Sequence, residues 1–156
     1  PNQIMHSVLI VCTANICRSP MAMGLLLDKL NQKRDQWRVE SAGVWAIDGL
    51  PAAEKTLFVL SERGIDIRNH RSRLITPEII QKFNLILVME SNHKEALRLG
   101  FPELSSQIFL LTEMKGDSYD LKDPIGGSFS DFEDTAKAIE DIFNLGFENI
   151  YKLSLA

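Results

Sequence analysis

Apolar residues gather along this chain in short solid runs, separated by stretches with helical spacing. Val8-Leu9-Ile10-Val11 and Leu85-Ile86-Leu87-Val88-Met89 show no polar alternation, as expected of central parallel strands covered on both faces. Trp37 to Ser41, closed by Ala42-Gly43, and Ile108 to Leu111 predict two more strands. Pro20 fits the first turn of a helix that carries Ala22, Leu25, Leu26 and Leu30 on one side. Asp48-Gly49 and Pro51 turn the chain, and Ala53, Leu57 and Leu60 mark a second helix that Gly64 ends. Thr76-Pro77-Glu78 opens a short helix in N-cap and N1 order. Ser91 begins another, which stops by Gly100 with Pro102 beyond it. After a polar loop from Lys115 to Gly127, Ser130-x-x-Glu133 reads as a capping box. It launches a last helix with Phe132, Ala136, Ile139 and Phe143 on one face, extending past Gly146 to Phe147 and Ile150.

Strands alternating with helices predict an α/β fold in three layers, αβα, around an open parallel sheet of about four strands, Rossmann-like in plan. A single domain over residues 1–156 accounts for the length, with no repeat, low-complexity stretch or linker. Sites in such sheets lie beyond the carboxyl ends of the strands, and Cys12 stands at such an end.

A composition of 45% apolar and 24% charged residues describes an ordinary globular protein. The net charge of −4 argues against nucleic acid as a partner, so any phosphate site must be a local positive focus. No apolar run reaches membrane-spanning length, and Pro1-Asn2-Gln3-Ile4-Met5-His6 lacks a signal-peptide pattern. The two cysteines share one loop instead of forming a disulfide framework. A cytoplasmic location away from membranes is expected, and a monomer. Two cysteines and three scattered histidines give no zinc spacing, so neither metal nor cofactor is expected.

The loop between the first strand and helix holds the candidate chemistry. Its backbone N–H groups and the positive end of a helix converge on one spot suited to an anion. Cys12 opens it and Arg18 follows after five residues. A helix N-terminus beside a guanidinium favours the thiolate over the thiol. Arg18 can grip two oxygens of a phosphate at once. Ser19 can donate a hydrogen bond to the sulfur, and Asn15 tolerates the left-handed backbone that a tight loop needs. A buried, inert cysteine is the plain alternative; the joint presence of Arg18 and Ser19 in this context favours a nucleophile.

Cys12-Thr13-Ala14-Asn15-Ile16-Cys17-Arg18-Ser19-Pro20 resembles the low-molecular-weight protein tyrosine phosphatase family. Ser41-Ala42-Gly43, His70 with Arg73, Met89-Glu90 and Asp123-Pro124 extend the resemblance over nearly the whole chain. It implies a phosphatase-I-like fold and cleavage of phosphomonoesters through a cysteinyl-phosphate on Cys12. Arg18 and the N–H groups of residues 13 to 18, including Thr13, Ala14, Asn15, Ile16, Cys17 and Ser19 in the binding loop, hold the phosphoryl oxygens. Asp123 would be the general acid. Spacing alone leaves Asp123-Pro124 open between an acid and a surface turn; the resemblance decides for the acid, with Asp120 as the fallback. The family usually has glycine where Ala14 stands, which would strain the loop by about 1 kcal/mol or more if that position needed φ > 0.

Cys17 is open between packing under the loop and the reversible disulfide with Cys12 that the family implies, a redox protection of the nucleophile. His70 and Arg73 are expected to be structural, and His6 and His93 ordinary surface or core-edge residues. Ile16, Trp45 and Ile125 are candidate walls of an apolar slot for an aromatic ring, with core-edge packing the alternative for Trp45 and Ile125. Phosphotyrosine protein is the expected substrate, with a tyrosine kinase as its counterpart. Asp123-Pro124-Ile125-Gly126-Gly127-Ser128 also resembles bacterial protein arginine phosphatases of the family, which have threonine at the Ile16 position; the apolar side chain here favours phosphotyrosine. Arsenate reductases that share the loop relay a disulfide through later cysteines, and none follows Cys17. A phosphate-binding or redox-sensing module is the non-enzyme alternative.

Overall fold

His6–Cys12 forms the central strand β1, buried along its whole length. The computed structural model describes residues 3–156; Pro1 and Asn2, part of the stretch read for a leader, lie outside the described residues. β1 pairs in parallel with β2 (Trp37–Gly43) on one side and β3 (Leu85–Val88) on the other, and β3 carries β4 (Ile108–Leu110) at the edge. The order β2-β1-β3-β4 makes this the four-stranded open parallel sheet the sequence predicts. The winding reverses at β1, which is where doubly wound sheets place their ligands.

Successive strand residues point to opposite faces. Val8, Ile10 and Cys12 therefore enter one core with Leu85 and Leu87, while Leu9 and Val11 enter the other with Ile86 and Val88. The first face is covered by α1 (Arg18–Leu30), α2 (Glu54–Ser61) and α5 (Phe129–Ser154) through Met21, Leu26, Leu60, Phe132 and Phe143. The second is covered by α3 (Pro77–Ile80) and α4 (Ser91–Gly100) through Ile80 and Leu97. Burial of each such side chain stabilises by roughly 1.5–3 kcal/mol. With a core on both faces, β1 is a firm base for the loop that leaves its end.

The structure corrects two readings of the sequence. β1 starts two residues before its apolar run, because His6 is buried: its ring stacks on Trp37 with centroids 4.1 Å apart, and Nδ1 meets Ser154 Oγ at 2.9 Å. His6 is thus a core residue, neither at the surface nor at the core edge as expected. The capping box of α5 is Ser128 with Asp131, not Ser130 with Glu133: Ser128 Oγ accepts from Asp131 N at 3.2 Å, and Asp131 Oδ2 accepts from Ser128 N at 2.9 Å. Both pairs satisfy the motif. Ser128 has the extended backbone of a cap, and Glu133 is drawn to Arg63 in a two-bond pair at 2.7 and 2.8 Å. Gly146 sits within α5 because a β-carbon there would come 2.6 Å from the Met114 carbonyl oxygen. No helix among the described residues is long and apolar enough to cross a membrane.

Candidate active site

The segment from Cys12 to Arg18 bends around a point beyond the end of β1, and the direction of its carbonyls explains how. Cys12 O accepts from Val44 N at 3.0 Å, Thr13 O from Trp45 N at 2.9 Å, and Ile16 O from Ala53 N at 2.8 Å. Asn15 O meets His70 Nε2 at 2.8 Å. These carbonyls are engaged by neighbouring backbone and by His70, while the N–H groups of Thr13 to Cys17 find no acceptor among the described residues. They form a nest for a negative charge at the N-terminus of α1. Gly43, paired with Cys12 across β1 and β2, lets the loop come this close: a β-carbon there would stand 2.5 Å from Thr13 O.

Asn15 is the pivot. Its φ of 60° lies in the left-handed region, whereas Ala14 stays outside it, so the alanine at that position carries no such strain. The Asn15 side chain is fully buried; Oδ1 accepts from Arg73 N at 3.0 Å, and Nδ2 donates to Ser19 Oγ at 2.7 Å and to Ser41 Oγ at 2.9 Å. A backbone N–H only donates, so the amide orientation is fixed. Ser19 Oγ, accepting from Asn15, has its own hydrogen free for Cys12 Sγ at 3.0 Å. His70 and Arg73 are structural, as expected. Arg73 also donates from Nε to Ser41 O at 3.0 Å and pairs with Glu40 at 2.6 Å.

Arg18 is 1% exposed, yet its Nη1 pairs with Glu90 Oε2 at 2.6 Å and donates to Leu121 O at 2.7 Å. Nη2 reaches Asp123 Oδ2 at 3.5 Å, and Nε is buried with no partner among the described residues. Glu90 and Leu121 thus consume the outer side of the guanidinium. The Nε–Nη2 edge is left for a two-point grip on an anion.

Cys12, Thr13, Ala14, Ile16, Cys17, Arg18, Asp123 and Ile125 line one cavity of about 100 Å³. This is small beside the roughly 300–1,000 Å³ of drug-sized ligand sites, and suits a single small anion. Ile125 is 55% exposed at its rim. Trp45 does not line the cavity; it is 83% exposed, so core-edge packing is excluded for it as well. Asp120 is engaged elsewhere, accepting from Ser91 N at 2.8 Å at the start of α4. Burial and the charges of Asp123 and Cys12 push the Cys17 thiol up to about 12, only partly offset by Thr56 and Arg18. Cys17 is therefore a protonated thiol, and Cys12 is the cysteine equipped with a hydroxyl donor.

Sequence patterning misses two residues of the site. Glu90 figures only as part of a resemblance, and His93 reads as an ordinary surface or core-edge residue. His93 is 1% exposed and meets Thr13 Oγ1 through Nε2 at 2.8 Å. A lone histidine at the start of a helix carries no sign of a partner 80 positions earlier.

A family model described as "Low molecular weight phosphotyrosine protein phosphatase" matches residues 7–152. The chain is 34% identical over 137 residues to the probable low molecular weight protein-tyrosine-phosphatase EpsP of Ralstonia nicotianae, covering 88% of this chain and 90% of that protein. It is 35% identical over 140 residues to a protein-arginine-phosphatase of Geobacillus stearothermophilus, covering 89% of this chain and 92% of the relative. The crystal structure of a low molecular weight protein tyrosine phosphatase from T. tengcongensis superposes with a TM-score of 0.87 at 36% identity, over 92% of this chain and 99% of that one.

Proposed function

The chain belongs to the low molecular weight phosphotyrosine protein phosphatase family, and on that premise we propose that it hydrolyses phosphotyrosine in proteins through a cysteinyl-phosphate on Cys12. The family makes it a phosphatase. The observation that carries the mechanism is the convergence on one small cavity of Cys12, Arg18 and Asp123, with the buried Ser19 hydroxyl 3.0 Å from the Cys12 sulfur behind it. Cys12 attacks phosphorus in line as a thiolate while the loop amides and Arg18 hold the three equatorial oxygens. The bond from phosphorus to the phenolic oxygen breaks, and Asp123 gives that oxygen its proton. Asp123, now a carboxylate, takes a proton from water as the water attacks the cysteinyl-phosphate, releasing phosphate and the thiolate. Ser19 steadies the departing sulfur.

Ile16 and Ile125 in the cavity lining favour an aromatic leaving group over a guanidinium, which would leave polar N–H groups against apolar walls. Arginine phosphatase is the second reading, favoured by relatives of that activity at matching identity and by the Asp123-to-Ser128 sequence. Turnover of p-nitrophenyl phosphate by the reduced protein, and its loss in Cys12→Ser, test the mechanism. Phosphotyrosine and phosphoarginine peptides compared side by side test the substrate. Faster release of phosphate from phosphoarginine would overturn the tyrosine assignment and keep the enzyme. Cys17 is our candidate partner for Cys12 in a reversible disulfide under oxidants.

A further inference from the structure

His93 lies in the first turn of α4, three residues after the N-cap Glu90. Its Nδ1 faces the backbone N–H of Glu90 at 3.2 Å. That N–H can only donate, so Nδ1 accepts and the ring hydrogen sits on Nε2. Nε2 therefore donates to Thr13 Oγ1 at 2.8 Å. Thr13 is the residue directly after the nucleophile and lines the cavity with it. The same Glu90 whose amide orients the ring sends its carboxylate to Arg18 Nη1 at 2.6 Å, and Oε2 stands 4.0 Å from His93 Nε2. One turn of helix thus holds two sides of the phosphate cavity, Thr13 through a ring and Arg18 through a carboxylate.

From this juxtaposition we infer that His93 is a positioning residue for the phosphate cavity: its neutral ring, in the Nε2–H form, ties Thr13 of the nucleophile loop to the Glu90–Arg18 pair so that the three act as one unit. The inference rests on the reading of Cys12 to Arg18 as the phosphate site. A proton on Nδ1 would face the Glu90 N–H and break that bond. It would also place a cation beside the carboxylate that Arg18 uses. The charged groups facing the ring are Glu90 from its own turn, Arg18 from α1, and Asp120 and Asp123 from the loop after β4. Burial pushes the imidazole below its ordinary range and Arg18 adds to this, against the opposing pull of Glu90, Asp120 and Asp123. The ring is neutral at pH 7 and takes up its proton only on the acid side.

The probe is inorganic phosphate, measured as a competitive inhibitor of p-nitrophenyl phosphate turnover. Thr13→Val and His93→Asn are each expected to raise its inhibition constant about 3–10-fold at pH 7, the size of one lost hydrogen bond. Because they sever the same bond, the double variant should be no more than about twofold worse than the weaker-binding single one. His93→Gln, which keeps an N–H for Thr13, should recover at least half of the loss on a logarithmic scale. The ratio of the His93→Gln constant to the wild-type one should shrink as the pH is lowered from 7 across the acid range in which both proteins stay folded, since His93 is the one titrating group they do not share. Unchanged constants in both single variants, penalties that multiply in the double one, or a ratio indifferent to pH would each overturn the role of His93. Should His93→Asn fail to fold, Thr13→Val and His93→Gln decide the matter. Wild-type protein that ignores phosphate altogether would instead sink the phosphate-site reading beneath it.

Discussion

Replacing Asn15 by alanine tests the architecture of the loop most directly. The change removes three buried side-chain hydrogen bonds, to Ser19 Oγ, to Ser41 Oγ and from Arg73 N. It also asks a residue with a plain β-carbon to hold φ at 60°. Each bond contributes roughly 0.5–1.5 kcal/mol net, and more where a buried donor such as the Arg73 N–H is left without an acceptor. The left-handed backbone costs alanine about 1–2 kcal/mol. Together these come to roughly 3–6 kcal/mol, a large part of the 5–15 kcal/mol that holds a typical domain. At about 2–4 °C per kcal/mol for a chain of this size, the melting temperature should fall by roughly 10–20 °C. Asn15→Gly loses the same bonds without the backbone penalty, so it should retain about 1 kcal/mol more than alanine. Urea unfolding of the three proteins separates these contributions. A loss under about 1 kcal/mol for alanine, or alanine and glycine variants of equal stability, would refute the reasoning.

Asp123→Asn should slow p-nitrophenyl phosphate turnover modestly, because that phenol leaves without help. It should slow an unactivated aryl phosphate by roughly 10²–10⁴-fold, with phosphate inhibition retained; equal slowing of both esters in steady-state rates would remove Asp123 as the acid. Gly43→Ala brings a β-carbon to 2.5 Å from Thr13 O and 3.1 Å from Asn15 N, so phosphate affinity should drop while the rest of the fold survives, as inhibition constants and circular dichroism will show. His6, His70 and His93 are all shifted below the ordinary imidazole value of 6.5, mainly by burial. The unfolded chain then takes up protons first, so stability is complete above about pH 6.5 and declines as the pH falls through that value toward the folded ones. Melting temperatures that stay level or rise between pH 7.5 and 5.5 would contradict this.

Most of the sheet was legible because its strands are buried on both faces and read as unbroken apolar runs. The nucleophile loop was legible because its parts are neighbours in sequence. What stayed hidden was set by contacts between distant positions. His6 reads as polar yet lies in the core, because Trp37 offers it a stacking face. Two overlapping capping motifs compete at the start of α5, and the Arg63–Glu133 pair settles which one caps. Glu90 and His93 follow an apolar strand as unremarkable polar residues. Their meaning appears only once β3 delivers them beside β1. Trp45, which follows Ser41-Ala42-Gly43, reads as either a wall of the cavity or core-edge packing and is neither; proximity along the chain fixes only its backbone, through the bond from its N–H to Thr13 O.

The two tryptophans differ sharply in surroundings: Trp37 is 6% exposed and Trp45 is 83% exposed. One indole therefore glows from within the protein and the other from water, with emission maxima set apart by the polarity around each. Acrylamide will quench the outer lamp first, leaving a blue-shifted remainder that belongs to Trp37 alone. The quenchable component therefore follows the water-facing side chain of Trp45, while the protected one, stacked on His6 in the core, reports unfolding.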